Sequence, residues 1–348
     1  MNQENQTKSG AGSPDNLLTR RRFFLHSGAA ILATNMLTSC SGVLDDLLPK
    51  KDKPGLEEPE PPLRDKTLAF FGDSLTIGTG GTRPYGALVG AALSGRTVFS
   101  DGIVGQIAQS ISIRQGGTPV TITVEGGKFD GTNAVKITKL SNEFLSTPIN
   151  DNTYSRTGTI ADIKCTITRT ANSASGESYT ITPESTSTTE IPADSVFILD
   201  DAVHLKTATQ ILWYGRNDVG DASAEEKILT ALESSIAYIT DPKRYLVLGV
   251  LLASPDIRGT VKYGQVTEIN DTLAARYGKS FVPMTPPTAA ELEAIGYTPT
   301  SEDNTDLENM NFPRGLRANE STDKIHLNDK GYQIVANRVV TKLKELKY

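Results

Sequence analysis

The rhythm of apolar and polar positions changes along this chain, and the changes divide it. A short unbroken apolar run, Leu68 to Phe71, predicts a strand buried on both faces. A glycine-rich turn follows, then an apolar segment from Tyr85 to Leu93 that predicts a helix. The alternation continues with a strand over Thr97 to Ser100 and a helix from about Gln106 to Arg114, stopped by Gly116-Gly117. From Thr118 to about Lys206 a period of two takes over. Val120 to Val124, Ala134 to Ile137, Ile163 to Thr168 and Ser178 to Ile181 read as strands between Gly, Asn and Ser turns, the pattern of a small antiparallel sandwich or barrel.

The strand–helix text then resumes, with Gln210 to Tyr214, Tyr245 to Leu251 and Phe281 to Pro283 as strands. Ser223 and Glu226 predict a capping box ahead of an apolar face formed by Ile228, Leu229, Leu232 and Ile236. Val266, Ile269 and Leu273 repeat at helical spacing before Gly278. Thr285 to Thr322 reads as a long polar loop with one short helix around Ala289 to Ala294, a length that predicts a wall or cover for a pocket. Asn328 opens a last helix whose Val335, Val339, Leu343 and Leu346 face a sheet. Alternating strands and helices imply a parallel sheet with right-handed crossovers. The expected organisation is an α/β domain over 66–117 and 207–348, with a β domain inserted at 118–206.

The chain upstream is of another kind. Thr19-Arg20-Arg21-Arg22-Phe23-Phe24-Leu25 resembles a twin-arginine export motif, and the apolar stretch Gly28 to Leu37 after it is too short to span a membrane. It ends Leu37-Thr38-Ser39-Cys40, which looks like a lipobox, so residues 1–39 read as an export signal and Cys40 as the lipidated residue. Residues 40–65 read as a tether, because the Lys/Glu/Pro text of Lys50 to Pro62 has nothing to bury. Of the two cysteines, that leaves Cys165, which alternates with Ile163 and Ile167 and reads as a core thiol. A net charge of −6 with no basic stripe argues against nucleic acid.

Candidate chemistry sits where the first strand hands over to a turn, at Gly72-Asp73-Ser74-Leu75. A serine there has an exposed hydroxyl and offers its own N–H to whatever the hydroxyl attacks. Its partners stand near the other end, at Asp323-Lys324-Ile325-His326. An aspartate three residues before a histidine fits one tight turn, where its carboxylate takes the Nδ1 proton and leaves Nε2 for the serine. Of the three histidines, His26 lies in the export segment and His204 in an ordinary alternating context. Gly105 and Asn217, each just after a strand-like run, can offer a backbone N–H and a side-chain amide to an oxyanion. Arg216 reads equally as an anion contact or a structural ion pair.

With Gly72-Asp73-Ser74-Leu75, Gly105, Gly215-x-Asn217-Asp218 and Asp323-x-x-His326-Leu327 in this order, the chain resembles the SGNH (GDSL-type) hydrolases. The resemblance covers roughly 66–117 and 207–346 and implies a flavodoxin-like three-layer α/β/α fold. It implies ester hydrolysis through an acyl-enzyme, with Ser74 as nucleophile, His326 as base and acid, Asp323 as orienter, and Ser74 N–H, Gly105 N–H and Asn217 as oxyanion donors. No cofactor is implied, and no Cys/His cluster has metal-ligand spacing. The family includes polysaccharide acetyl esterases, lysophospholipases and thioesterases. A tethered body with a β insertion favours O-acyl glycans as substrate, against an idle surface module that binds glycans through the insertion. The membrane is expected to be met through the lipid anchor only, at the periplasmic or extracellular face of a bacterial membrane.

The insertion reads either as a substrate-selecting module or as a spacer. The helix before it starts at the catalytic edge and the strand after it starts at the far edge, so both junctions are expected at the non-catalytic end. Replacing Thr118 to Lys206 by a short linker is then expected to leave short-ester hydrolysis intact.

Overall fold

The computed structural model describes residues 64–148, 152–319 and 322–348. The export segment 1–39, Cys40 and the tether up to residue 63 lie outside the described residues. In chain order the first part is β1 (Leu68–Gly72), α1 (Ser74–Ile77), α2 (Tyr85–Ala92), β2 (Val98–Gly102) and α3 (Ala108–Gln115). The inserted part is β3 (Val120–Val124), β4 (Val135–Leu140), β5 (Asn152–Ile160), β6 (Ile163–Asn172), β7 (Gly176–Pro183) and β8 (Ser195–Leu199). Then come α4 (Asp200–His204), β9 (Thr209–Trp213), α5 (Ala224–Tyr238), β10 (Tyr245–Leu248), α6 (Val261–Tyr277) and β11 (Phe281–Val282). The chain closes with α7 (Ala289–Ala294), α8 (Ser301–Glu308) and α9 (Asp329–Glu345).

Strands β11-β10-β9-β1-β2 form a parallel sheet in that spatial order, the flavodoxin-like arrangement. Its central strands are mainly apolar because helices cover both faces, and the period of two decides which layer each side chain meets. Leu68, Phe70, Ile211, Trp213, Leu246 and Leu248 pack with α2 and α9. Ala69, Phe71, Leu212 and Val247 pack with α3, α5 and α6 on the other face. Strand β10 stops at Leu248, short of the expected Leu251, because the Asn270 side chain takes over the backbone of Val250, both N–H and carbonyl.

The insertion is a closed antiparallel barrel, β3-β4-β7-β6-β5-β8. Cys165 lies in its apolar interior, where burial pushes the thiol up to about 12. Two of its strands escape the apolar pattern. Along β5 only Gly158 and Ile160 are buried, while β8 exposes Val196 and Ile198, so neither alternates apolar-in and polar-out.

Two further expectations are corrected. Ser223 precedes α5 without a side-chain cap; its hydroxyl turns back to Asp221. The stretch 285–322 is less irregular than its polarity predicts, since α8 starts there from a Thr300–Asp303 capping box. That helix is polar and buries Asp303 and Asp306 rather than an apolar stripe, so periodicity does not mark it.

Candidate active site

The strand-to-helix turn that carries Ser74 is built from its neighbours. Gly72 admits no Cβ, which would lie 2.0 Å from Thr76 Oγ1 and 2.8 Å from the Trp213 carbonyl. Asp73 caps α1, its Oδ1 accepting from Leu75 N at 2.9 Å. Ser74 is the first residue of α1 and is 5% exposed. Among the described residues its N–H serves no carbonyl, and neither does that of Gly105.

Asp323 and His326 share one turn. Asp323 Oδ1 accepts the backbone N–H of Ile325 at 3.0 Å and of His326 at 2.9 Å, and Oδ2 meets His326 Nδ1 at 2.7 Å. Partial burial raises the Asp323 carboxyl, but these bonds outweigh it and hold the group below the usual carboxylate range. His326 Nε2 then lies 2.7 Å from Ser74 Oγ. The two turns are stitched together directly. Thr82 donates through its N–H and hydroxyl to Asp329, and Tyr332 donates its hydroxyl to the Thr79 carbonyl at 2.8 Å. Gly80, at φ +91°, lets the serine loop touch the histidine loop; a Cβ there would lie 2.3 Å from Ala318 Cβ.

Asn217 is carried in the turn Arg216–Asp218, after Gly215 at φ +100°. The structure brings it beside Ser74 and also gives its amide work there. Nδ2 donates to Asp73 Oδ2 at 3.0 Å and to the Gln106 carbonyl at 2.9 Å, so both hydrogens have protein acceptors. Gly105, at φ +76°, abuts the barrel segment after β4: a Cβ would meet Pro148 Cδ at 2.4 Å. Arg216 is structural, buried with Asp256 at 2.9 Å and bonded to the Leu251 carbonyl at 2.7 Å.

Beneath this site lies a polar hub that sequence reading misses. Arg114 of α3 is fully buried and donates to the Gly72 carbonyl at 2.7 Å, the Asp101 carbonyl at 3.1 Å and Gln106 Oε1 at 2.8 Å. Its charge meets Asp101 at 2.6 Å, and Arg156 of the barrel reaches the same carboxylate at 2.6 Å. Burial raises the Asp101 carboxyl, and the two guanidiniums overcome that and hold it below the usual range. Gln106 in turn donates to the Phe144 and Ser146 carbonyls at 2.7 and 3.1 Å. The sequence marks it weakly, because α3 alternates isoleucine with Ser, Arg and Gln and an arginine in a helix's last turn ordinarily lies at the surface.

Burial also pushes Asp73 up to about 7 and Asp218 up to about 6. A carboxyl whose folded pKa lies above its unfolded value contributes stability that is full at low pH and is lost as pH rises through the folded value. This contribution to the melting temperature, followed by circular dichroism, is therefore expected to fall away between about pH 4 and pH 7, and Asp73→Asn to flatten that slope.

No protein-family model matches this chain, and no curated protein does. Among solved structures, a member of the lipolytic protein G-D-S-L family from Veillonella parvula DSM 2008 is similar at 14% identity and TM-score 0.38, over 79% of this chain and 96% of that one. An alpha/beta hydrolase enzyme from the metagenome of Lake Arreo, Spain, is 12% identical with TM-score 0.41, over 81% and 96%. A protein ascribed to the G-D-S-L lipolytic family from Desulfitobacterium hafniense DCB-2 is 10% identical with TM-score 0.40, over 80% and 99%. Likeness this distant assigns no chemistry to the chain.

Proposed function

We propose that the chain is a serine hydrolase of the SGNH type that cleaves carboxylic esters through an acyl-enzyme. One observation supports this above the others: Ser74 Oγ, His326 Nε2, His326 Nδ1 and Asp323 Oδ2 form an unbroken hydrogen-bonded relay with both links at 2.7 Å. In this reading His326 takes the Ser74 proton as Oγ attacks the ester carbonyl, then returns it to the leaving alcohol. Asp323 keeps Nδ1 protonated and stabilises the imidazolium. Water, deprotonated by the same imidazole, releases the acid. The N–H groups of Ser74 and Gly105 are the oxyanion donors, joined by Asn217 when its amide turns from the Gln106 carbonyl toward substrate. The test is labelling by a fluorophosphonate probe: Ser74 is expected to carry the adduct, and an adduct on another residue, or none, sinks the assignment.

Asn217→Ala is expected to lower kcat on a short aryl ester about 10²–10³-fold, as loss of one oxyanion donor does, with little change in KM. Steady-state kinetics decide it, and a change confined to KM would remove Asn217 from the oxyanion site.

The finer substrate reading is an O-acyl glycan, supported by the barrel segment that packs beside Gly105. The chain is also proposed to be exported, lipidated at Cys40 and held at the periplasmic or extracellular face of a bacterial membrane. Cys40→Ala is expected to move the protein from the membrane fraction to a fraction that washes off or retains its signal, and unchanged fractionation would end the lipidation reading.

A further inference from the structure

The edge of the parallel sheet opposite Ser74 has a charge pattern unlike the rest of the chain. Every strand of that sheet is entered through a basic residue: Arg64 and Lys66 before β1, Arg96 before β2, Lys206 before β9, Lys243 and Arg244 before β10, and Lys279 before β11. Because the strands are parallel and paired Leu68 to Val98, Leu68 to Thr209 and Tyr245 to Gln210, these residues gather at one pole. Lys347, just past α9, joins them through its carbonyl, which accepts from Arg64 at 2.8 Å.

The cationic heads are fixed mainly by neutral acceptors. Arg96 donates to the Lys66 carbonyl at 2.6 Å, to Thr209 Oγ1 at 3.2 Å and, as the one charged acceptor among these, to an oxygen of the Tyr348 terminal carboxylate at 3.0 Å. Arg244 donates to the Thr207 carbonyl at 2.7 Å, and Lys243 holds the carbonyls of Ile236, Ala237 and Ile239 at the end of α5. Among the described residues, no side-chain carboxylate forms an ion pair with any of these basic residues. Asp65 and Asp241 are the acids in the same strand entries, with the terminal carboxylate beside them. Burial lowers the Arg96 pKa, repulsion from Arg64 and Arg244 adds to it, and Asp65 offsets part of it. In a chain of net charge −6, such a cluster is a cost to folding that an anionic partner would relieve.

We propose that this pole is a docking surface for an anionic phospholipid bilayer. Charge complementarity argues for it, and so does connectivity: the chain running back to Cys40 joins the domain at Arg64, in the middle of the cluster. Docked in this way, the basic pole faces the bilayer and the Ser74 edge faces outward, toward substrates that are not part of the membrane. The surface stands apart from the esterase reading and shares with it only the reading of Cys40.

The test uses the full chain carrying Cys40→Ala, so that no lipid contributes, sedimented with vesicles of phosphatidylglycerol and phosphatidylcholine or of phosphatidylcholine alone. Binding is expected to need phosphatidylglycerol and to vanish near 1 M salt, where the screening length is about 3 Å. Adding Lys66→Gln, Lys279→Gln and Lys347→Gln, all exposed and remote from Ser74, is expected to lower partitioning about a hundredfold, at about fivefold per lysine. Circular dichroism checks the fold of this variant whether or not the chain proves to be an esterase. Equal binding to both vesicles, or binding indifferent to the three substitutions, overturns the proposal. So does retention on polygalacturonate without retention on vesicles, which would assign the pole to an acidic glycan.

Discussion

Alanine at Ser74 is expected to lower kcat on a short aryl ester by about 10⁴–10⁶-fold, and His326→Ala by a similar amount, with the double variant no worse than either. The reason is geometric. The hydroxyl and the imidazole meet at 2.7 Å and neither has a use in the attack without the other, so their losses cannot add. Asp323→Asn is expected to cost about 10⁴-fold, because the amide no longer enforces the tautomer that leaves Nε2 free. The serine substitution removes one hydroxyl from a site that is already almost closed, so the melting temperature should barely move. Steady-state kinetics with a melting curve for each variant separate chemistry from folding. A Ser74→Ala protein that keeps the parent rate would end the acyl-enzyme reading.

Replacing Thr118 to Lys206 by a short Gly/Ser linker is expected to abolish short-ester hydrolysis and to leave the α/β part poorly folded. This reverses the expectation from sequence, which treats the insertion as removable because the strand–helix text is continuous without it. In the structure the barrel shares its core with the α/β part, since Ile103, Ile113 and Ala202 pack in the same cluster as Ile122, Phe144 and Leu199. Exposing Ile103 and Ile113 alone costs roughly 1.5–3 kcal/mol each, against a total stability of roughly 5–15 kcal/mol. The excision also removes Arg156 from Asp101 and the Phe144 and Ser146 carbonyls from Gln106, loosening the turn that carries Gly105. The Ser110 hydroxyl loses the Glu143 carbonyl, which it now reaches at 2.7 Å. Circular dichroism and aryl-ester kinetics on the shortened chain check both halves, and a folded body with the parent rate would show the barrel to be separable after all.

A smaller perturbation probes the same coupling. Gln106→Leu leaves Arg114 Nε and two carbonyls without their partner in a buried place, at roughly 1–3 kcal/mol for each unsatisfied group. If the coupling acts on the oxyanion donors, kcat falls more than the melting temperature alone explains, and KM for a short ester hardly changes.

What the sequence by itself determined is what depends on near neighbours or on a repeating period. The relation of Asp323 to His326 is a spacing of three residues, closed by backbone N–H groups inside one turn. The serine turn follows from an apolar run ending in Gly72 and an aspartate that caps the next helix. Burial on both faces makes β1 and the Ile211–Trp213 part of β9 legible as apolar runs, and the alternation of strand and helix text then yields the parallel sheet. Only the tertiary structure decided what lies between distant segments. Arg114 reaches Gly72, Arg156 reaches Asp101, and the segment after β4 returns to the catalytic edge although both junctions of the barrel lie at the other end. Such contacts join groups tens of residues apart, and their partners are backbone carbonyls or a shared carboxylate that no local pattern marks. Helix α3 shows the reason most plainly: the sheet, α5 and the barrel together bury Ser110, Ser112, Arg114 and Gln115 along with its isoleucines, Ser110 against the barrel and Ser112 and Gln115 against α5. A face that is polar by composition becomes interior when a second body packs against it, and that packing is a property of the assembled fold.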